Sequence, residues 1–263
     1  MLKVRLIPVL FLKDGYLVRS ESFKIHQNLG NPVAQVQRYN LWNIDELIYI
    51  DISESNTYSK KRLDMGESDI PTNISELITV VSKNCFMPLT FGGKIRSVED
   101  ISLRMSLGAD KVSINTQAYA DPDFIGYSSK KFGSQAIVVS IDYKLNEKGE
   151  NKVYVNRGTK ETDYSPEDWA IEAERRGAGE ILLNSIDRDG LAIGYDTTVI
   201  KSVVSSTKIP IIVCGGVGEY SDFAKGIEEG NADAVAAGNI FHFRELSYPL
   251  AKKFLKGKGL NTR

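Results

Sequence analysis

The sequence predicts a (β/α)8 barrel, a TIM barrel built from two equivalent halves, and three observations predict it. Eight short apolar runs alternate with eight amphipathic segments along 263 residues. Each run is near-continuous in Val, Ile, Leu or Ala, as expected of a parallel sheet covered by helices. The third observation is an internal repeat. The paired glycines of Ile209-Pro-Ile-Ile-Val-Cys-Gly-Gly-Val-Gly218 recur 123 positions earlier in Met87-Pro-Leu-Thr-Phe-Gly-Gly-Lys-Ile-Arg96, and Gly230-Asn-Ala-Asp-Ala-Val-Ala-Ala-Gly-Asn239 answers Leu107-Gly-Ala-Asp-Lys-Val-Ser-Ile-Asn-Thr116. Repeats of this size weigh heavily in assigning a fold. A doubly wound open sheet is the alternative arrangement of the same units.

In chain order, strands are expected at about 4–10, 47–52, 87–91, 110–114, 136–141, 180–184, 210–214 and 233–237. Helices are expected at about 32–43, 72–84, 97–107, 122–131, 166–177, 196–206, 220–230 and 245–256. Ser97, Asp121-Pro122 and Ser165-Pro166 read as helix starts, because Ser and Asp side chains accept orphan amides and Pro tolerates the first turn. Gly108, Gly133 and Gly177 read as stops. No linker divides the chain, so residues 1–263 are expected to form a single barrel domain. Two connections exceed what a barrel needs: Ser53 to Thr72 after the second strand, and Lys144 to Ser165 after the fifth. Within the latter, Lys152-Val-Tyr-Val-Asn156 suits a small hairpin. Both follow strand C-termini, the catalytic face of such barrels.

Composition excludes several functions. A formal net charge of −1 with basic residues spread throughout argues against nucleic acid and membrane surfaces as partners. Lys3 and Arg5 interrupt the first apolar run, no long apolar span follows, and a cytoplasmic location is the expectation. Cys85 and Cys214 both lie beside or inside apolar runs and are expected to be buried free thiols. His26 and His242 have no metal-ligand partner at useful spacing, so no metal is expected. Gly-Gly-Val-Gly218 falls short of a dinucleotide fingerprint, and no cofactor is expected.

The chemistry that the repeat suggests is anion binding. Each half offers two adjacent backbone turns, Gly92-Gly93-Lys94 with Asn115-Thr116, and Gly215-Gly216 with Gly238-Asn239. Glycines let the backbone approach a phosphate, whose charge the free amides and dipole of a helix start favour. A single Gly-Gly could merely end a strand, but two in register point to a phosphorylated small molecule spanning the mouth. Between the turns, the fifth strand ends Ile137-Val-Val-Ser-Ile-Asp142, placing Asp142 where a general acid or base belongs. Asp51 closes the second strand. Asp187 and Asp189 follow the sixth, where turn formation is the competing reading. At the opposite end Arg5, Glu46, Lys111 and Glu180 each open a strand, two cations and two anions able to close a salt-bridged ring; ordinary charge at strand entrances is the bland alternative.

Leu6-Ile-Pro, Lys13-Asp-Gly15, Asp45-Glu-Leu, Asp110-Lys-Val-Ser-Ile-Asn-Thr116, Lys131-Phe-Gly-Ser-Gln135 and Gly177-Ala-Gly-Glu-Ile-Leu-Leu183 together resemble the cyclase subunit of imidazole glycerol phosphate synthase, over essentially the whole chain. The resemblance implies a (β/α)8 barrel fed with ammonia by a glutaminase partner, acting on a bisphosphate substrate at the far mouth. It implies that Arg5, Glu46, Lys111 and Glu180 gate ammonia entry, that Asp110 meets the glutaminase, and that Asp189 is a substrate-site carboxylate. Of the family's two catalytic aspartates, Asp142 matches one; the other position holds Phe11, which can neither donate nor accept a proton. Lys94 stands where the family has a third glycine, Asn184 where it has threonine and Cys214 where it has serine. With Leu183-Asn-Ser-Ile-Asp187, these departures resemble the paralogous branch associated with glycosyl amidation, in which ammonia is supplied to a separate sugar amidotransferase. That resemblance implies a role in surface-polysaccharide acetamidino sugars, with imidazole glycerol phosphate synthesis for histidine as the alternative.

Overall fold

The computed structural model describes residues 3–55, 57–58 and 71–263. Eight parallel strands close into a barrel: β1 (Arg5–Lys13), β4 (Leu47–Asp51), β5 (Leu89–Gly92), β6 (Lys111–Ile114), β7 (Ile137–Leu145), β10 (Glu180–Ser185), β11 (Ile211–Cys214) and β12 (Ala234–Ala237). They pair in that order, β12 returns to β1, and the expected TIM barrel, not the open sheet, is what forms. Around it run α1 (Pro32–Leu41), α2 (Ile74–Asn84), α3 (Val98–Ser106), α5 (Asp123–Phe132), α6 (Pro166–Arg176), α7 (Thr197–Ser206), α8 (Tyr220–Glu228) and α10 (Ser247–Gly257). The short helices α4 (Thr116–Ala120) and α9 (Ile240–Phe243) open at Asn-Thr and Gly-Asn.

The helix boundaries follow from their caps. Ser97 accepts the Asp100 amide while Asp100 reaches back to the Ser97 amide, a closed capping box that fixes where α3 begins. Ser165 accepts the Asp168 amide ahead of Pro166, and Gly177 ends α6 at φ +105°, a conformation cheap only for glycine.

Alternation along the strands sorts the core into two layers. Leu6, Leu10 and Leu12 of β1 face outward to the helices, whereas Ile7 and Val9 face inward with Ile48, Val138, Leu182, Ile212, Ala234 and Ala236. Phe11 and Ile50 pack against the top of this inner cluster. By strand register Thr90, Ser113 and Ser140 share the inward parity on β5, β6 and β7, so hydroxyls line one side of an otherwise apolar interior.

Three differences from the sequence reading stand out. β2 (Tyr16–Glu21) and β3 (Ile25–Gly30) form a hairpin on β1 that hydrophobic runs alone did not disclose, because β3 is largely exposed. Its turn is Asp14-Gly15, both residues at positive φ between paired Lys13 and Tyr16, so a two-residue hairpin signal was in the sequence. His26 lies on this strand. The expected hairpin after the fifth strand is present and larger: β8 (Asn151–Val155) pairs with β7 and with β9 (Lys160–Glu161). The long connection expected from Ser53 to Thr72 falls mainly on residues 59–70, outside the described residues. Finally, β5 starts 122 positions before β11, and β6 starts 123 before β12. The first glycine turn therefore corresponds one residue differently from the sequence alignment: Gly93 and Lys94 match Gly215 and Gly216, all four at positive φ.

Candidate functional site

At the N-terminal end of the strands the four charged residues meet. Arg5 Nη1 lies 3.0 Å from Glu46 Oε1 and 2.6 Å from Glu180 Oε1; Lys111 Nζ lies 3.4 Å from Glu46 Oε2 and 2.7 Å from Glu180 Oε2. The cycle is closed, each cation touching both anions. All four are mostly buried, and pairing is what makes that burial tolerable. Burial alone would lower the Arg5 pKa, but Glu180 and Glu46 outweigh it and raise it. Asp110 sits beside the ring, exposed, with one oxygen accepting the Leu89 amide at 2.8 Å; Asp233 does the same for Ile211 at 3.0 Å in the other half. Arg263 reaches the ring's outer edge, 3.8 Å from Glu46. A hollow of about 650 Å3 lies on this face, lined by Trp42, Asp45, Phe86, Lys252, Lys256 and Arg263 among others. Phe86 and Leu41 are almost fully exposed.

At the other end, β7, β10 and β11 carry Asp142, Asn184 and Cys214 side by side in register. Asp142 accepts from Asn115 Nδ2 at 2.9 Å, Asn184 Nδ2 at 3.4 Å and Ser140 Oγ at 3.5 Å. Its burial raises the carboxyl pKa to about 7, with the nearby Asp189 charge adding to it and the amide donors pulling against it. A carboxyl poised near neutrality can hold a proton and release it in one cycle. Cys214 is buried and its thiol is pushed far up, mainly by burial, so it is not a nucleophile. Cys85, expected to be buried, is half-buried, and both cysteines are free thiols.

The predicted turn residues gather around this carboxylate, though with distinct duties. Asp51 lies on the outward parity of β4. Its carboxylate accepts from Ser53 N (2.9 Å), Ser53 Oγ (2.5 Å), Tyr58 OH (3.0 Å) and Lys94 Nζ (3.1 Å). Four partners fill a carboxylate's acceptor sites, so Asp51, which closes the second strand as expected, holds its own loop. Lys94, at φ +55°, also donates to the Ser55 carbonyl and stands over the Tyr58 ring. Behind this turn the buried Arg104 donates to the Gly93 and Asp100 carbonyls, both at 2.9 Å. Gly93 passes so near Asp51 that a Cβ would lie 2.1 Å from its carbonyl oxygen.

In the second half, Gly216 is confined by the Gly194 carbonyl in the same way, and Gly238 sits against the Val9 carbonyl. Asp189 accepts from Ser20 Oγ at 2.6 Å and Phe23 N at 3.3 Å, and Asn239 donates to the Ser20 carbonyl at 3.2 Å. Both residues therefore hold the β2–β3 hairpin over the second turn. Asp187 accepts the Leu145 amide at 2.8 Å, tying its loop to the end of β7 rather than capping its own turn. Sequence reasoning missed Ser20, Tyr58 and Arg104, since only the fold brings them here. His242 is largely buried, its pKa lowered to about 4 by burial, and the described residues contain no cluster of metal ligands.

A closed barrel with two glycine turns and a buried carboxylate at the strand C-termini, and a charge ring at the opposite end, defines the class: a (β/α)8 barrel of doubled half-barrels. The family model described as histidine biosynthesis protein matches residues 5–247, and the chain belongs to that family. Within it, the imidazole glycerol phosphate synthase subunit HisF of Dehalococcoides mccartyi is 41% identical over 263 residues, covering 100% of this chain and 99% of its own. HisF of Natranaerobius thermophilus is likewise 41% identical, over 100% of both chains, and that of Caulobacter vibrioides is 39% identical over 264 residues, 100% and 97%. Among the described residues no helix is long and apolar enough to cross a membrane.

Proposed function

We propose that this chain is a HisF-type synthase subunit that admits ammonia at the Arg5, Glu46, Lys111 and Glu180 ring. It uses that ammonia beside Asp142, on a substrate whose phosphates bind the Gly92–Lys94 and Gly215–Gly216 turns. One observation carries the reading: the closed ring and the near-neutral carboxyl lie at opposite ends of one barrel interior, with Thr90, Ser113 and Ser140 on the wall between. Small hydroxyls can pass a hydrogen-bonding neutral molecule that an entirely apolar lumen would reject. A glutaminase supplies the ammonia from the lower face, where Asp110, exposed Phe86 and the hollow beside Asp45 offer it a mixed apolar and charged footing.

The relatives favour imidazole glycerol phosphate synthesis as the reaction. In that reaction Asp142 does the acid–base work without a carboxylate at position 11. A second reading, in which the ammonia serves a sugar amidotransferase of surface-polysaccharide synthesis, rests on one observation: Phe11 packs its ring on the inner cluster at the mouth. The test is formation of imidazole glycerol phosphate from the bisphosphate substrate and ammonium salt by the purified chain. Turnover that disappears in Asp142→Asn supports the first reading; none from a folded, phosphate-binding protein supports the second.

A further inference from the structure

The turn joining β8 to β9 crosses the barrel mouth and touches segments that follow four other strands. Asn156 and Arg157 adopt φ +52° and +60° and Gly158 +75°, a left-handed run that turns the chain sharply inward. The Asn156 amide donates to Thr116 Oγ1 at 3.0 Å. Lys144 Nζ holds the Gly158 carbonyl at 3.0 Å, and a Cβ on Gly158 would meet Ile186 at 3.0 Å and Phe23 at 3.2 Å. The turn is thus fixed in place, and it presents Arg157 at the first glycine turn.

There the guanidinium is only loosely engaged. Arg157 Nη1 lies 3.0 Å from Glu54 Oε1, with side chains half exposed and largely exposed respectively. Ser55, next to Glu54, accepts from Lys94. The Arg157–Glu54 pair consequently links the neighbour of Asn156, which holds Thr116, to the neighbour of Ser55, which holds Lys94, beside the first turn. An exposed pair of this kind is weak and easily exchanged. A phosphate monoester offers the same guanidinium two oxygens and more charge than a carboxylate, in the bidentate geometry that arginine fits and lysine does not.

We propose that Arg157 is a guanidinium clamp for the phosphate held at the Gly92–Lys94 and Asn115–Thr116 turn, parked on Glu54 in the ligand-free protein. Glu54 is the competitor that the incoming phosphate displaces, so the pair sets the affinity of this end of the substrate. The inference rests on the anion reading given above. The test is a titration of the isotope-labelled full chain with inorganic phosphate, reading the amide shifts of Gly93 and Thr116 for the first turn and of Gly215 and Gly216 for the second.

Arg157→Gln weakens binding at the first turn about tenfold, the scale of one charge-assisted hydrogen-bonded contact, and leaves the second turn unchanged. Arg157→Lys, which keeps the charge but loses the fork, falls between. Glu54→Gln tightens the first turn, and this gain vanishes in the Arg157→Gln background. Such coupling separates a parked clamp from a general change of charge near the mouth. First-turn binding that survives Arg157→Gln intact, or a Glu54→Gln gain that is equal in both backgrounds, overturns the clamp alone. Absence of phosphate from the first turn of the unaltered chain overturns the clamp and the anion reading together.

Discussion

Lys94 and Gly216 occupy the same turn position in the two halves of the barrel, φ +55° and +109°, yet only the first carries a side chain, and its ammonium lies 3.1 Å from Asp51. The second position has no room, since a Cβ on Gly216 would come within 2.1 Å of the Gly194 carbonyl. A left-handed non-glycine residue costs about 1–2 kcal/mol, and here a buried ion pair compensates.

Lys94→Gly relieves the backbone but leaves the Asp51 carboxylate buried without its cation. Removing one partner of a buried pair costs about 3–5 kcal/mol, so a net destabilisation of roughly 2 kcal/mol is expected in urea unfolding. Adding Asp51→Asn to Lys94→Gly should recover part of the loss. Gly216→Ala, by contrast, should destabilise by about 3 kcal/mol or more, because neither the conformation nor the space admits a methyl.

The Asp142 carboxyl titrates near 7 in the folded protein against an ordinary value of 3.8. The folded state then binds the extra proton, so this group costs stability as pH rises from about 4 through 7, on the order of 4 kcal/mol in full. Asp142→Asn removes that dependence. Its stability relative to the parent should increase between pH 4 and pH 8 in denaturant titrations, while synthase turnover falls by about 10²–10⁴-fold. A constant difference across this range would show that folding does not raise the Asp142 pKa.

Much of this arrangement was legible in the sequence, and the unread part has physical causes. Continuous Val/Ile/Leu runs disclosed all eight barrel strands because parallel strands are buried on both faces, and Arg5, Glu46, Lys111 and Glu180 were visible as charges opening apolar runs. The β2–β3 hairpin escaped because an exposed strand such as Ile25–Gly30 carries no apolar alternation. Asp51 was legible as the residue closing the second strand, but its outward side follows only once Ile48 and Ile50 are known to point inward. The lone offset of one residue between the glycine turns arises after the helix: α3 and α8 both span 9 residues, and the extra residue lies in the connection from α8 to β12, which local similarity of Gly-Gly pairs conceals.

Phe11→Asp restores a carboxylate across the mouth from Asp142. If imidazole glycerol phosphate synthesis is the reaction, turnover should rise by about 10²-fold, at a cost in stability from placing a carboxylate against Ile7, Val9 and Ile50. Steady-state rates and thermal unfolding of the same preparation measure both effects. An unchanged rate would assign the acid–base work wholly to Asp142.

The ammonia route from the charge ring to Asp142 is tested most directly by Lys111→Ala in complex with the glutaminase, measuring glutamate formed per molecule of aminated product, with ammonium salt as a control for the downstream chemistry. Lys111 touches both Glu46 and Glu180, so its loss opens the closed cycle on one side. The expected result is a ratio well above one, with ammonia escaping to solvent and ammonium-dependent turnover retained. A ratio that stays at one would mean that the ring is structural and that ammonia does not enter through it.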